Sequence, residues 1–297
     1  MTTIRCITET RCLVAEGPLW HPEEKSLYWA DINGMRVYRL DMRTGHEEFW
    51  QFAETVSAVC LTESAPWLLV ACGMSVLRWN PLTDERIVMV EFPNEPKGNR
   101  LNDAAAGPDG TFWAGTMRNN VASDGGHIEL DWGAAENRTG SLYCITPQRE
   151  VLHRAIGLAI PNTLVWSPDG KTMVTGDSID NVLRAYDYEP ETLTERRVFT
   201  EGFERGVPDG SAMDALGFVW NCRYFGGCIV RFSPSGDVDR VVEMPVTNIT
   251  NCVFGGKGLD TLYVTTAKVG APDEEPLAGA IFAFEPGVAG LAPYRFG

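Results

Sequence analysis

The sequence predicts an all-β fold, a six-bladed β-propeller of four-stranded antiparallel blades. Short apolar runs recur at Leu27-Tyr28-Trp29, Leu68-Leu69-Val70, Phe112-Trp113-Ala114, Thr172-Met173-Val174, Phe218-Val219-Trp220 and Leu262-Tyr263-Val264. They stand about 40–46 residues apart, except for one longer step between the third and fourth, and that is the period of a propeller blade. No sustained helical period competes with the alternation of apolar and polar residues.

Each copy has the same parts. A tight turn such as Pro108-Asp109-Gly110 or Pro168-Asp169-Gly170 precedes the second strand. Proline presets one dihedral there and glycine accepts a positive one. Third and fourth strands follow, at 36–40 and 46–50 in the first copy and at 182–186 and 228–232 as third strands of the fourth and fifth. A propeller removes its sheet edges by closing a ring. Residues 4–13 are expected to pair into the last blade beside 280–284, making 1–297 a single propeller domain.

Two copies are longer than the rest. The third carries an insertion at 117–139 and the sixth a shorter one at 268–279, both after the second strand. Loops joining strands two and three share one face with the starts of the first strands, and long loops on one face are where binding concentrates.

Composition narrows the class. With 297 residues the chain can bury a core without disulfides or structural metal. The 40 acidic against 25 basic residues, net charge -15, repel phosphate backbones, so nucleic acid is not an expected partner. No apolar run approaches the ~20 residues that span a bilayer, and the first residues are too polar for a signal peptide, so no membrane partner and a cytoplasmic location are expected. The eight cysteines form no C-x-x-C pair and read as buried free thiols.

Aligned on their first strands, the copies begin with Glu16, Val56, Asn102, Asn162, Asp209 and Thr250. In a propeller these positions surround the central channel, so two carboxylates and two amides converge. Asp and Asn also make turns, but four of six at one structural position point to a metal site. Two anions forced together repel unless a cation lies between them. Hard oxygen donors suit calcium, magnesium or manganese, and carboxylate also serves zinc. The four histidines fall in turns or loops without a G-x-S-x-G motif, which speaks against a serine triad. Asp31 and Asp177 end second strands, where hydrogen bonding between strands is the expected job.

The chain resembles the gluconolactonase and senescence-marker-protein (regucalcin) family along nearly its whole length. The resemblance rests on Glu16-Gly17-Pro18-Leu19-Trp20, Arg100-Leu101-Asn102-Asp103, Ala114-Gly115-Thr116-Met117, Pro161-Asn162, Pro208-Asp209-Gly210, Cys252-Val253-Phe254-Gly255-Gly256 and Gly290-Leu291-Ala292-Pro293-Tyr294. It implies hydrolysis of a sugar lactone with one divalent cation (Ca, Zn, Mn or Mg). Glu16, Asn162 and Asp209 match the family's metal ligands, and Arg100 and Asn102 match residues that contact the sugar. Asn120, a further substrate-facing position, stands where some members carry an acidic residue. Asp209 is the expected general base, Glu16 being committed to the metal. Two other classes fit the same residues: a phosphotriesterase-like hydrolase, and a non-enzymatic propeller binding calcium or a protein partner.

Overall fold

A computed structural model describes residues 3–92, 94–189 and 192–297. Six separate sheets form the six blades of a propeller. Blade 1 is built from strands Ala15–His21, Ser26–Asp31, Arg36–Asp41 and Glu47–Gln51, each antiparallel to the next. The remaining blades begin with inner strands Val56–Thr62, Asn99–Ala106, Pro161–Trp166, Val207–Met213 and Ile249–Gly255. One short 3-10 turn, Ala135–Asn137, is the helical structure present among the described residues. No helix among them is long and apolar enough to cross a membrane.

Burial falls from the axis outward. The inner strand Val56–Thr62 is buried at every residue, while the outer strand of the same blade, Glu85–Glu91, is mostly exposed. The apolar clusters lie between neighbouring blades rather than within them. One cluster joins Tyr28 and Val37 of blade 1 to Val59, Val70 and Trp79 of blade 2. Trp113 and Trp220 occupy equivalent places in their second strands, facing the next blade, while Trp29 faces the preceding one; all three are almost fully buried. Burying a side chain of this size contributes about 2–3 kcal/mol, so the blade-to-blade seams hold the ring. Seven of the eight cysteines are buried and all are free thiols.

The ring closes where the repeat pattern places it. Arg5–Cys6 pairs antiparallel with Phe282–Phe284 of the last blade. The regular strand is two residues long. The rest of the segment stays attached through irregular bonds, Ile7 N to Ile281 O (2.9 Å) and Cys12 N to Gly279 O (2.8 Å). A second closure was not anticipated. Arg295–Phe296 adds in parallel to the inner strand of blade 2, with Arg295 opposite Leu61 and Phe296 opposite Thr62.

Asp31 and Asp177 do the structural work expected of them. Asp31 accepts hydrogen bonds from Leu13, Val14 and Gly34 N–H groups, and Asp177 from Ala159, Ile160 and Ile179. Each fastens the approach to its own inner strand and the turn after its second strand.

Candidate functional site

Every inner strand carries a β-bulge. Pairing skips between Glu16 and Leu19, Val56 and Ala58, Leu101 and Ala104, Asn162 and Val165, Pro208 and Ser211, and Ile249 and Asn251. A bulge inserts one unpaired residue and re-aims the side chains beside it. The six bulges form one level of the channel. Gly17 at the first has φ 51°, and a Cβ there would lie 2.6 Å from Ala58 Cα and Ser57 O. Glycine is required at that position by both conformation and space.

Hydrogen bonds between inner strands fix this level around the ring. Ser57 Oγ donates to Asn102 O (2.7 Å), Asn102 Nδ2 to Pro161 O (3.0 Å), Thr163 Oγ1 to Asp209 O (2.6 Å) and Thr250 Oγ1 to Ala15 O (2.6 Å). Each bond crosses from one blade to the next, so the site is positioned by the closed ring and not by any local motif.

Above the bulges a cavity of about 520 Å³ is lined by Glu16, Arg100, Asn102, Asn120, Asn162 and Asp209. All six residues singled out in the sequence therefore meet in one place. Val56 and Thr250, at the equivalent position of blades 2 and 6, are buried in the ring wall. Glu16 Oε2 accepts from Gly17 N (2.8 Å) and Asn251 Nδ2 (2.9 Å), both neutral donors. Asn162 Oδ1 accepts from Asn102 Nδ2 (3.0 Å), while its Nδ2 donates to Ser178 Oγ (2.8 Å), which donates in turn to Pro208 O (2.6 Å). This relay turns the amide oxygen of Asn162 away from Ser178. Arg100 Nη1 donates to Leu101 O (2.9 Å) and Asn102 Oδ1 (2.8 Å), and Nη2 to Asn120 Oδ1 (3.0 Å).

The charges are under strain from desolvation. Burial, then the nearby Asp103, raises Glu16 to about 7. Asp209 is held well above the ordinary carboxylate range by burial and by the charges of Glu16 and Asp103. Asp103 itself is pushed up to about 6 by burial, and burial lowers Arg100 to about 10. Two facing carboxylates that resist ionisation together, with an amide oxygen beside them, are the donor set a hard cation fits. No group of three His, Cys, Asp or Glu side chains capable of holding a metal occurs among the described residues. The candidate set here is two carboxylates and an amide.

Asp103 and Asn251 were missed in the sequence. Both line a second, apolar cavity of about 170 Å³ below the bulges, and Asn251 also reaches up to Glu16. They form the partition between the two cavities. The insertion of blade 3 roofs the upper cavity with His127, Glu129 and Trp132. It spans to blade 1, where Asn33 Nδ2 donates to Gly125 O (2.8 Å), and is tied to blade 4 through Arg138 and Asp180 (2.9 Å). Val269 and Gly270 of the blade 6 insertion complete the rim.

A six-bladed ring with oxygen donors converging on one mouth of its channel defines the class, and comparison places the chain within it. Residues 14–268 match the family described as SMP-30/Gluconolactonase/LRE-like region, and the chain belongs to that family. It is 32% identical to regucalcin of Gallus gallus over 99% of this chain and 98% of that protein. It is 31% identical to 6-deoxy-6-sulfogluconolactonase of Pseudomonas putida with the same coverage. A solved structure of a calcium-binding protein, regucalcin, from Agrobacterium tumefaciens superposes with TM-score 0.88 at 26% identity, covering 100% of this chain and 98% of that one.

Proposed function

We propose that this protein hydrolyses a sugar lactone to the corresponding aldonic acid with the help of one divalent cation. Membership of the gluconolactonase family supports lactone hydrolysis. The observation that supports the metal dependence is the meeting of two buried carboxylates, Glu16 and Asp209, with the Asn162 amide at one cavity. Glu16, Asn162 and Asp209 would hold the cation, which supplies Lewis-acid polarisation of the lactone carbonyl when bound.

The protein's own groups do the rest. Arg100, desolvated and steered by Asn102 and Asn120, presents its guanidinium to ring hydroxyls from blade 3. Asn102 fixes Asn162 through its amide hydrogen and thereby orients the Asn162 oxygen. Asp209, with a raised proton affinity, accepts a proton from the attacking water and returns it to the leaving ring oxygen. The roof loop limits water around the reacting carbonyl.

The test is gluconolactone hydrolysis before and after chelation. Turnover is expected to fall at least about a hundredfold on metal removal and to return with Ca, Zn, Mn or Mg. Undiminished turnover after exhaustive chelation would overturn the metal dependence. A phosphotriester run in the same assay separates the related hydrolase reading.

A further inference from the structure

Phe225 is built against the usual rules. It lies in the turn after strand Val219–Tyr224 with φ 62°, a conformation that costs a bulky side chain energy. The residue is 59% exposed, so packing in the core does not compensate. Gly227, two residues on, is left-handed as well (φ 59°), so the turn sets an aromatic residue in the same conformation that it gives a glycine. The ring packs edge-on against Tyr224, centroids 4.6 Å apart at 80°, and reaches over Gly270, where a Cβ would lie 3.4 Å from Phe225 Cε1. Left-handed strain in an exposed aromatic side chain at the rim of a cavity points to a ligand.

The wall around Phe225 is apolar. Ile160 and Ile179 of blade 4, Val207 of blade 5 and Val269 of blade 6 line the cavity with it. The two side-chain hydroxyls nearby have already given their hydrogens. Tyr224 Oη donates to Val269 O (2.8 Å), and Ser178 Oγ to Pro208 O (2.6 Å). Neither hydroxyl has a hydrogen left to offer the oxygens of a second sugar ring, and buried polar groups without partners are costly. Ile160 and Val207 stand two residues before Asn162 and Asp209 on the same blades, so the apolar side chains form a belt at the rim above the oxygen donors.

The geometry points to a lactone bearing an apolar alkyl substituent on the carbon that carries the ring oxygen, seated against Phe225 and the aliphatic wall. For the reaction this rests on the lactonase reading above; for binding it rests on the cavity alone. Water adds to the carbonyl, the acyl carbon–ring oxygen bond breaks, and the proton goes to the leaving oxygen. The product is a hydroxy acid whose carbinol carbon keeps the alkyl chain.

The experiment has two arms. In the first, kcat/KM is measured with Ca²⁺ or Zn²⁺ present for δ-lactones with methyl to pentyl substituents, and for an aldobionolactone. In the second, titration calorimetry measures binding of uncleavable six-membered lactams carrying the same substituents, which requires no turnover. Each added methylene is expected to improve binding about threefold to fourfold until the wall is filled. Phe225→Asn should flatten that dependence and, because Asn tolerates left-handed backbone, raise Tm by about 2–4 °C. Ile179→Asn should flatten it without raising Tm. A chain-length series that is flat in the wild type, or an aldobionolactone preferred over every alkyl lactone, overturns the inference. Lactams that show the dependence while no lactone is hydrolysed would sink the lactonase reading and leave the apolar subsite standing. Gluconolactone hydrolysed with a flat lactam series would do the reverse.

Discussion

The two mouths of the central channel are made by the same six strands and have opposite chemistry. Above the bulges, the first residues of the inner strands present Glu16, Asn102, Asn162 and Asp209 to a cavity of about 520 Å³. A few residues further along those strands, Leu19, Ala106, Leu164 and Met213 surround a cavity of about 170 Å³. The upper mouth is roofed by long insertions. The lower is bordered by tight turns and crossed by the C-terminal tail. Gly290 bridges Asp214 of blade 5, Ala215 N donates to Ala289 O, and Gly297 N donates to Gly110 O of blade 3. The bulge is what separates the halves. It breaks the alternation once in each blade, so a strand can be functional before it and part of a packed core after it.

The largest expected effect breaks the upper half alone. Asp209→Asn keeps shape and an oxygen donor but removes a charge and the proposed base. Lactone turnover should fall by about a hundredfold or more. Glu16→Gln should lose mainly cation affinity, so that excess metal recovers part of the rate. Both variants should melt as the wild type does or slightly higher without metal, since each removes a desolvated carboxyl. Rate against metal concentration for the two variants checks this, and an Asp209→Asn protein as active as wild type would refute the assignment.

Much of this division was legible in the sequence, and the exceptions have a common cause. The blade period, the first position of each inner strand and the two insertions follow from repetition, which one chain displays six times. Asp103 and Asn251 were not legible because a bulge points consecutive residues at the channel, whereas an alternating pattern assigns every second one. Asn120 sits in a loop without period and came from resemblance; its place became physical only when Arg100 was found bonded to it. Phe225 carried one local signal, an aromatic residue ahead of two glycines in a hairpin. Nothing in a repeat pattern could reveal the tail, because Arg295–Phe296 follows the last copy and pairs with the second.

The next effect breaks the lower half. Phe296 is 8% exposed and packs in the cluster shared by blades 2 and 3. Removing residues 295–297 discards that burial and the parallel bridges, a loss of about 2–3 kcal/mol. Thermal unfolding of the truncated chain measures it. The cation affinity of the upper site should be unchanged, because its hydrogen bonds run between inner strands and none involves the tail. A truncation that weakens metal binding while leaving Tm intact would show the two mouths to be coupled.

The smallest effect is in the pH dependence of the metal-free protein. Glu16 holds its proton to about 7 in the fold, against 4.5 for an ordinary glutamate, and Asp103 to about 6. Asp209 is raised in the same sense. A carboxyl that binds its proton more tightly when folded stabilises the fold at low pH, and that contribution is lost as pH rises through the folded value. The chelated protein should therefore lose about 1–2 kcal/mol between pH 6 and 8. Glu23, Asp169 and Glu243 are shifted downward, so they titrate below this window and add no slope to it. His21, lowered by burial, acts in the opposite sense near its unfolded value of 6.5, and a His21→Asn background removes it. A divalent cation replaces the protons between the carboxylates, so it should raise Tm more at pH 8 than at pH 6. Calorimetric scans at the two pH values, with chelator and with metal, decide it. A chelated protein equally stable at both, in the His21→Asn background, would mean that the upper mouth does not hold its carboxylates in the strained, cation-seeking state that sets it apart from the lower.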